Sequence, residues 1–363
     1  MSIENVIDKI RTETGVPYID VICYKEHKEI FRYTSGDCAT GKELLYMYSC
    51  SKPITVTAAL RLVEQGLVSI DDPVCKYLPE MKNAFYIDEG GERVTVGKKM
   101  TLRHLFTMTA GFTYNFGTPP IQQLIEDSDG KAVLRDFIPK LVETPLSFKP
   151  GTKFQYSLCH DIIAAVVEVV SGKRFSEYVN EAIFAPLEMY NSRFDNGEVD
   201  VADIYMASEQ GVYRIDEEKI LLPTKSYESG GAGLCSTVED YVLFADALAC
   251  GGISKNDYKV LSKEMIRELT TEQVKGISVN NSFSCIQGDD YGYGLGVRVR
   301  QIPTEWGLGV GEYGWDGAAG SYVMIDPERK VSIFVGMHVR SWPIVFRGKH
   351  IEIVKAIYEG LFG

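Results

Sequence analysis

Two serines and a lysine fall within four positions at Ser49, Cys50, Ser51 and Lys52, and Pro53 with a long apolar run follows at once. Proline lacks an N–H and is tolerated in the first turn of a helix, which places a helix start near residue 49. Residues three apart share a helix face, so Ser49 and Lys52 point the same way whereas Ser51 and Lys52 do not. Ser49 is the candidate nucleophile and Ser51 a bystander. Serine needs a base before it attacks. A lysine becomes that base when burial disfavours its charged form; alternatively it stays charged and lowers the pKa of a neighbouring phenol, which then serves. The helix start also supplies positive potential and free N–H groups where negative charge would develop. The same S-x-x-K spacing recurs from Ser128 to Lys131, in the polar loop EDSDGK, and is given no role.

Two further stretches carry residues of the right type. PGTKFQYSLCHD, residues 150–161, puts Tyr156 in a turn after Pro150-Gly151, where a phenol can lean into a cleft and act as acid or base beside a cation. EYGWDGAAGSYVMID, residues 312–326, surrounds Trp315 with Gly314, Gly317, Ala318, Ala319 and Gly320 before a strand. Such small residues mark close approach by a ligand or another backbone, and the N–H of Ala318 is a candidate oxyanion donor beside that of Ser49. Metal chemistry is poorly supported. Cys159, His160 and Asp161 are consecutive helical residues that point in different directions, His104 reads as a structural histidine, and no H-E-x-x-H is present.

The elements that must position these groups can be read from spacing. Ile3, Val6, Ile7 and Ile10 predict a helix over about 3–14, stopped by Gly15-Val16-Pro17. YIDVICYK and EIFRYTSG read as a hairpin, and the helix after Ser49 runs to Gly66. Asp72-Pro73 fits an N-cap followed by proline at the first helical position. From about 100 to 205 the pattern is mainly helical. It includes a short helix, TLRHLFTMTAG, closed by Gly111, the all-round apolar DIIAAVVEVVSG stopped by Gly172, and the amphipathic SEYVNEAIFAPL. The tail returns to strands in YGYGLGVRV and SYVMIDPERKVSIFVGM, and a helix over about 349–361 closes the chain. The expected fold class is α+β: early and late strands share one antiparallel sheet, flanked by the terminal helices, with a mainly helical inserted region. The expected division is a single catalytic domain, its α/β part at about 1–70 and 206–363 and its helical part at about 71–205, with a cleft between them.

The 363 residues, 45% hydrophobic, suffice for a large core, and the 24% charged fraction and many aromatics argue against disorder. The formal charge of −12 disfavours nucleic acid and anionic membranes as partners. The first residues carry acids and no apolar h-region, so a signal peptide is not expected, and no run approaches the roughly 18 apolar residues of a membrane span. A cytoplasmic location follows as the expectation. The eight cysteines contain no CxxC and are expected to be reduced thiols.

Taken in order, SCSKP, FQYSL and WDG resemble the three motifs of the serine β-lactamase and penicillin-binding protein superfamily, nearest its class C β-lactamase, D-alanyl-D-alanine carboxypeptidase and esterase branch. LVEQGLVSIDDPVCKYLPE, MTLRHLFTMTAGF, FKPGTKFQYS and GGAGLCSTVEDYVLFADALA fit as well, so the likeness runs from about 15 to 345. The resemblance implies a β-lactamase/transpeptidase-like fold and a serine hydrolase without metal or organic cofactor. Ser49 would be acylated, Lys52 would be its base partner, Tyr156 would shuttle the proton, and the N–H groups of Ser49 and Ala318 would hold the oxyanion. Leu158 stands where the family usually has asparagine, and Trp315 where it usually has a cation. With Asp316 and Gly317 these are the expected substrate-binding residues. The Tyr178–Asn180 triplet matches Tyr-x-Asn by letters but lies in an amphipathic helix and is read as a decoy. An aromatic third motif is similar to the esterase branch, so a small ester or amide is the expected substrate. β-Lactam or D-Ala peptide hydrolysis is the alternative, and a catalytically weak binding or sensor module the alternative of another class. Oligomeric state stays open.

Overall fold

The computed structural model describes residues 1–36, 41–194, 200–215, 222–279 and 290–363. Helix α1 (Ile3–Thr14) begins at Ser2, whose side chain accepts from Asn5 N, and ends at Gly15, left-handed at φ 70°. It leads into the hairpin of β1 (Tyr18–Lys25) and β2 (Lys28–Gly36). Helix α2 (Ser51–Glu64) follows, then the buried α3 (Cys159–Ser171) and α4 (Val238–Ala249). Five late strands join the main sheet: β3 (Tyr291–Tyr293), β4 (Arg298–Arg300), β5 (Tyr313–Asp316), β6 (Tyr322–Asp326) and β7 (Val331–Gly336). Helix α5 (Lys349–Leu361) ends the chain.

Early and late strands form one seven-stranded antiparallel sheet, β3-β4-β5-β6-β7-β1-β2, with Ile22 opposite Phe334 and Cys23 opposite Ile333. Both faces are covered, which is why six consecutive residues of β1 are buried. Alternation sends Ile19, Val21, Cys23, Ile333 and Val335 to the α1 and α5 side, where they pack with Ile7, Ile10, Ile353 and Ile357. The opposite face sends Ile22, Val323, Ile325 and Phe334 into the core shared with α2, α3 and α4. The expected α+β arrangement, one antiparallel sheet covered by helices on both faces, is therefore present.

Local structure departs from the spacing in three places. The helix expected up to Gly111 covers only Leu102–Phe106, because Met108 takes φ 56° and turns the chain. Pro73 is extended and caps a short 3-10 turn at Val74–Lys76; Asp72 caps no helix and instead accepts from Lys76 and Tyr77. The amphipathic stretch after Phe175 is an α-turn to Val179 that widens into a π-turn over Asn180–Phe184. The six cysteines among the described residues are free thiols; Cys38 and Cys285 lie outside them. Among the described residues no helix is long and apolar enough to cross a membrane.

Candidate active site

Ser49 sits in a single 3-10 turn, Tyr48–Cys50, that runs into α2. Tyr48 holds φ 45°, a strained value for a bulky residue, so the turn must be fixed from outside. Tyr241 of α4 donates to Cys50 O at 2.6 Å, and the Cys50 thiol reaches Trp315 O at 3.7 Å and Ser321 O at 3.6 Å. Ser51 Oγ donates to Tyr48 O at 2.5 Å and accepts from Leu234 N at 3.0 Å. Ser51, fully buried, is thus a clamp on the turn that carries Ser49.

Lys52 is completely buried, and its Nζ lies 3.1 Å from Ser49 Oγ. It also donates to Gly231 O at 2.6 Å. Aromatic faces complete the surround, with Nζ 4.6 Å from the Tyr156 ring centroid and 5.6 Å from that of Tyr114. Gly231 has to be small, since a Cβ there would stand 2.7 Å from Asp161 Oδ2. Asp161 is itself buried and accepts from Ser229 Oγ at 2.5 Å. Burial raises its carboxyl pKa, against the pull of Ser229 and of the Lys52 charge.

Strand β5 and the turn after it bring the third motif to Ser49. Gly317 N donates to Ser321 O at 2.7 Å and Gly320 N to Gly317 O at 3.0 Å, closing a turn whose second residue is Ala318. That hydrogen bond uses the first and fourth residues, so the Ala318 N–H is left outside it. Gly317 is where the two chains touch: a Cβ would lie 2.4 Å from Met47 O. The Ser341 N–H donates to Ala318 O at 3.0 Å and holds the turn from the other side.

These surfaces enclose a cavity of about 430 Å³ lined by Ser49, Tyr156, Asp316, Gly317 and Ala318 among the expected residues, and by Tyr48, Tyr114, Phe116, Pro343 and Ile344. Trp315 and Leu158, expected to touch substrate, are not among the lining residues. Trp315 is 1% exposed because β5 turns its ring inward; it stacks on Tyr156 with centroids 5.7 Å apart, and its Nε1 donates to Tyr156 OH at 3.1 Å. Leu158 starts α3 and is 2% exposed in the apolar core. Trp315 therefore holds the phenol, and Leu158 packs in the core. Asp316 does line the cavity, 3.6 Å from Arg298 Nη1, and burial raises its carboxyl pKa against the pull of Arg298 and Lys52.

The other motifs stay apart. Cys159 meets Ser157 Oγ at 3.1 Å, His160 Nε2 lies 3.5 Å from Phe106 O, and Asp161 faces Ser229. His104 Nδ1 accepts from Thr101 N at 3.0 Å as a helix cap. Lys131 pairs with Asp129 on an exposed loop. Sequence reasoning passed over Gly231, Tyr114 and Arg340. The run GGAG at 230–233 was the available signal for the first. Arg340 also lines the cavity, and its Nη1 is buried with no hydrogen-bond partner among the described residues.

The Beta-lactamase family profile matches residues 3–348, and the chain belongs to that family. It is 26% identical over 341 residues to esterase EstB of Burkholderia gladioli, covering 86% of this chain and 82% of that one. It is 33% identical over 165 residues to the lovastatin esterase of Penicillium rubens, covering 42% of this chain and 40% of that one. Among solved structures it superposes on EstCE1, a hydrolase with promiscuous acyltransferase activity, at a TM-score of 0.80 with 22% identity, over 98% of this chain and 97% of the other. The protein is a serine hydrolase of the β-lactamase-like family.

Proposed function

We propose that this enzyme hydrolyses carboxylic esters, and small amides more slowly, through an acyl-enzyme on Ser49. The observation that carries the reading is the contact of Lys52 Nζ with Ser49 Oγ at 3.1 Å, on the wall of a cavity that Tyr156 also lines. Ser49 Oγ attacks the carbonyl carbon and passes its proton to the Lys52/Tyr156 pair. The N–H groups of Ser49 and Ala318 receive the negative charge that develops on the carbonyl oxygen. Tyr156, oriented by Trp315, returns the proton to the leaving alcohol, and water then releases the acid. An alcohol in place of water would make the step an acyl transfer. The apolar side chains of Phe116, Pro343 and Ile344 suit an uncharged acyl or alkoxy group.

A second reading, turnover of β-lactams or D-Ala peptides, draws support from Arg340. A guanidinium in the cavity wall whose Nη1 has no hydrogen-bond partner among the described residues suits a substrate carboxylate, which it would meet with a charge-assisted hydrogen bond. The discriminating test is kcat/KM for p-nitrophenyl butyrate against a chromogenic cephalosporin, with Ser49→Ala as blank and intact mass to detect the acyl adduct. Ester preference with an adduct lost in Ser49→Ala is expected. Efficient cephalosporin turnover would favour the second reading, and turnover retained in Ser49→Ala would remove Ser49 as nucleophile.

A further inference from the structure

On the sheet edge that carries β2, the β1–β2 hairpin turns over the C-terminal end of α4. Its two turn residues, Glu26 and His27, both hold left-handed backbone, at φ 48° and 65°. Neither is glycine, and such turns normally recruit glycine or asparagine because other side chains are strained there. Strain of this kind persists where surrounding contacts over-determine it. Here the contacts come from Asp246: its Oδ1 accepts the His27 N–H at 3.1 Å, and its Oδ2 lies 2.7 Å from His27 Nδ1.

Asp246 is a buried acid, its side chain 4% exposed, and His27 is its only ion-pair partner among the described residues. Lys330, beside the same turn, is engaged by Glu26 at 3.1 Å. A buried carboxylate calls for a cation. Four residues on, which is one helical turn and the same face, stands Cys250, with Sγ 3.8 Å from Asp246 Oδ1. The ligating atoms of His27, Asp246 and Cys250 all lie within 4.8 Å of one another. Tetrahedral zinc with nitrogen, oxygen and sulfur ligands needs separations of about 3.3–3.8 Å, so small side-chain rotations bring all three into range. His27 is 30% exposed, which leaves a path for an ion and room for a water.

We propose that His27 Nδ1, a carboxylate oxygen of Asp246 and Cys250 Sγ form a three-ligand Zn(II) site, with water as fourth ligand, that staples the hairpin tip to the end of α4. The mixed set suits a borderline-soft ion and is a poor fit to calcium or magnesium. Binding forms the Zn–S bond and sends the Cys250 thiol proton to solvent. No redox step is involved, and the site is separate from Ser49.

The test uses the full chain, reduced and stripped with chelator, titrated with Co(II) and then Zn(II). One Co(II) per chain, with a near-ultraviolet thiolate-to-cobalt charge-transfer band displaced by Zn(II), is expected. Zinc at a hundredfold excess over its Kd should raise Tm by about 3–4 °C for a chain this long. Both signals should vanish in Cys250→Ala and in His27→Gly, the latter accommodating the left-handed backbone while deleting the imidazole. Neither residue belongs to the catalytic machinery, so ester turnover in both variants is expected to stay near wild type, which keeps this outcome distinct from the fate of the Ser49 reading. Absence of the band at millimolar Co(II), or a band and Tm shift that survive both substitutions, would overturn the proposal.

Discussion

Gly317→Ala tests the proposed oxyanion donor pair, the N–H groups of Ser49 and Ala318, without touching a side chain that does chemistry. The added Cβ would start 2.4 Å from Met47 O, and real Cβ atoms do not approach closer than 3.0 Å, so β5 and the Ser49 segment must separate by at least 0.6 Å. Met47 O is backbone, one residue from the strained Tyr48, and cannot swing aside as a flexible side chain would. Preorganised donors act within about 0.5 Å of their working position. The retreat therefore exceeds the tolerance of the site. Loss of one oxyanion donor lowers kcat by roughly 10²–10³, or about 3–4 kcal/mol of transition-state stabilisation. Overpacking should cost a further ~1–3 kcal/mol in folding stability. The assay is kcat and pre-steady-state acylation with p-nitrophenyl butyrate, with thermal unfolding to verify that the chain remains folded at the assay temperature. A folded Gly317→Ala enzyme with wild-type kcat would refute the reasoning, because it would show that Ala318 can move without consequence.

Ser51→Ala should still be acylated at Ser49, yet lose about 1–3 kcal/mol in denaturant unfolding, since Leu234 N and Tyr48 O each lose a buried partner. Unchanged stability would deny the clamp. Arg340→Gln should raise KM for esters bearing a free carboxylate by about tenfold or more while sparing neutral esters, in line with ~1.5–3 kcal/mol for a charge-assisted contact; equal effects on both ester types would exclude it as an anion contact. His350 is buried and its Nε2 lies 2.9 Å from Gly320 O; burial holds its pKa down at about 3. The unfolded chain, with histidine near 6.5, then binds more protons, so stability falls as pH drops from about 6.5 toward 3, by up to ~1.4 kcal/mol per pH unit. His350→Gln should remove that part of the slope between pH 6 and 4, and parallel stability curves for the two proteins would show that the imidazole does not contribute it.

Much of the scaffold was legible because its signals are local. The hairpin of β1 and β2, the glycine stops at Gly15 and Gly172 and the apolar α3 follow from periodicity and backbone freedom alone. What was not legible shares a cause. Leu158 and Trp315 were assigned to substrate by their place in a motif, whereas the direction of a side chain depends on what packs against it. Trp315 turns inward because β5 is an inner strand and Tyr156 presents a hydroxyl to its N–H. Arg340 went unnoticed because nothing near it in sequence marks it, and its place in the cavity comes from the pairing of Val339 and Arg340 with Tyr205 and Met206.

The sequence by itself determined which residues can share a helix face and where the backbone must be small. The three-residue step from Ser49 to Lys52 puts both on one side of a helix start, and Gly317 permits a contact that any side chain would forbid. Only the tertiary structure decided what surrounds them. Lys52 meets a carbonyl 179 residues away at Gly231, and Tyr156 meets an indole 159 residues away at Trp315. The α1 and α5 helices and α2–α4 close both faces of one sheet, and such contacts follow from burying apolar area, which carries no local code.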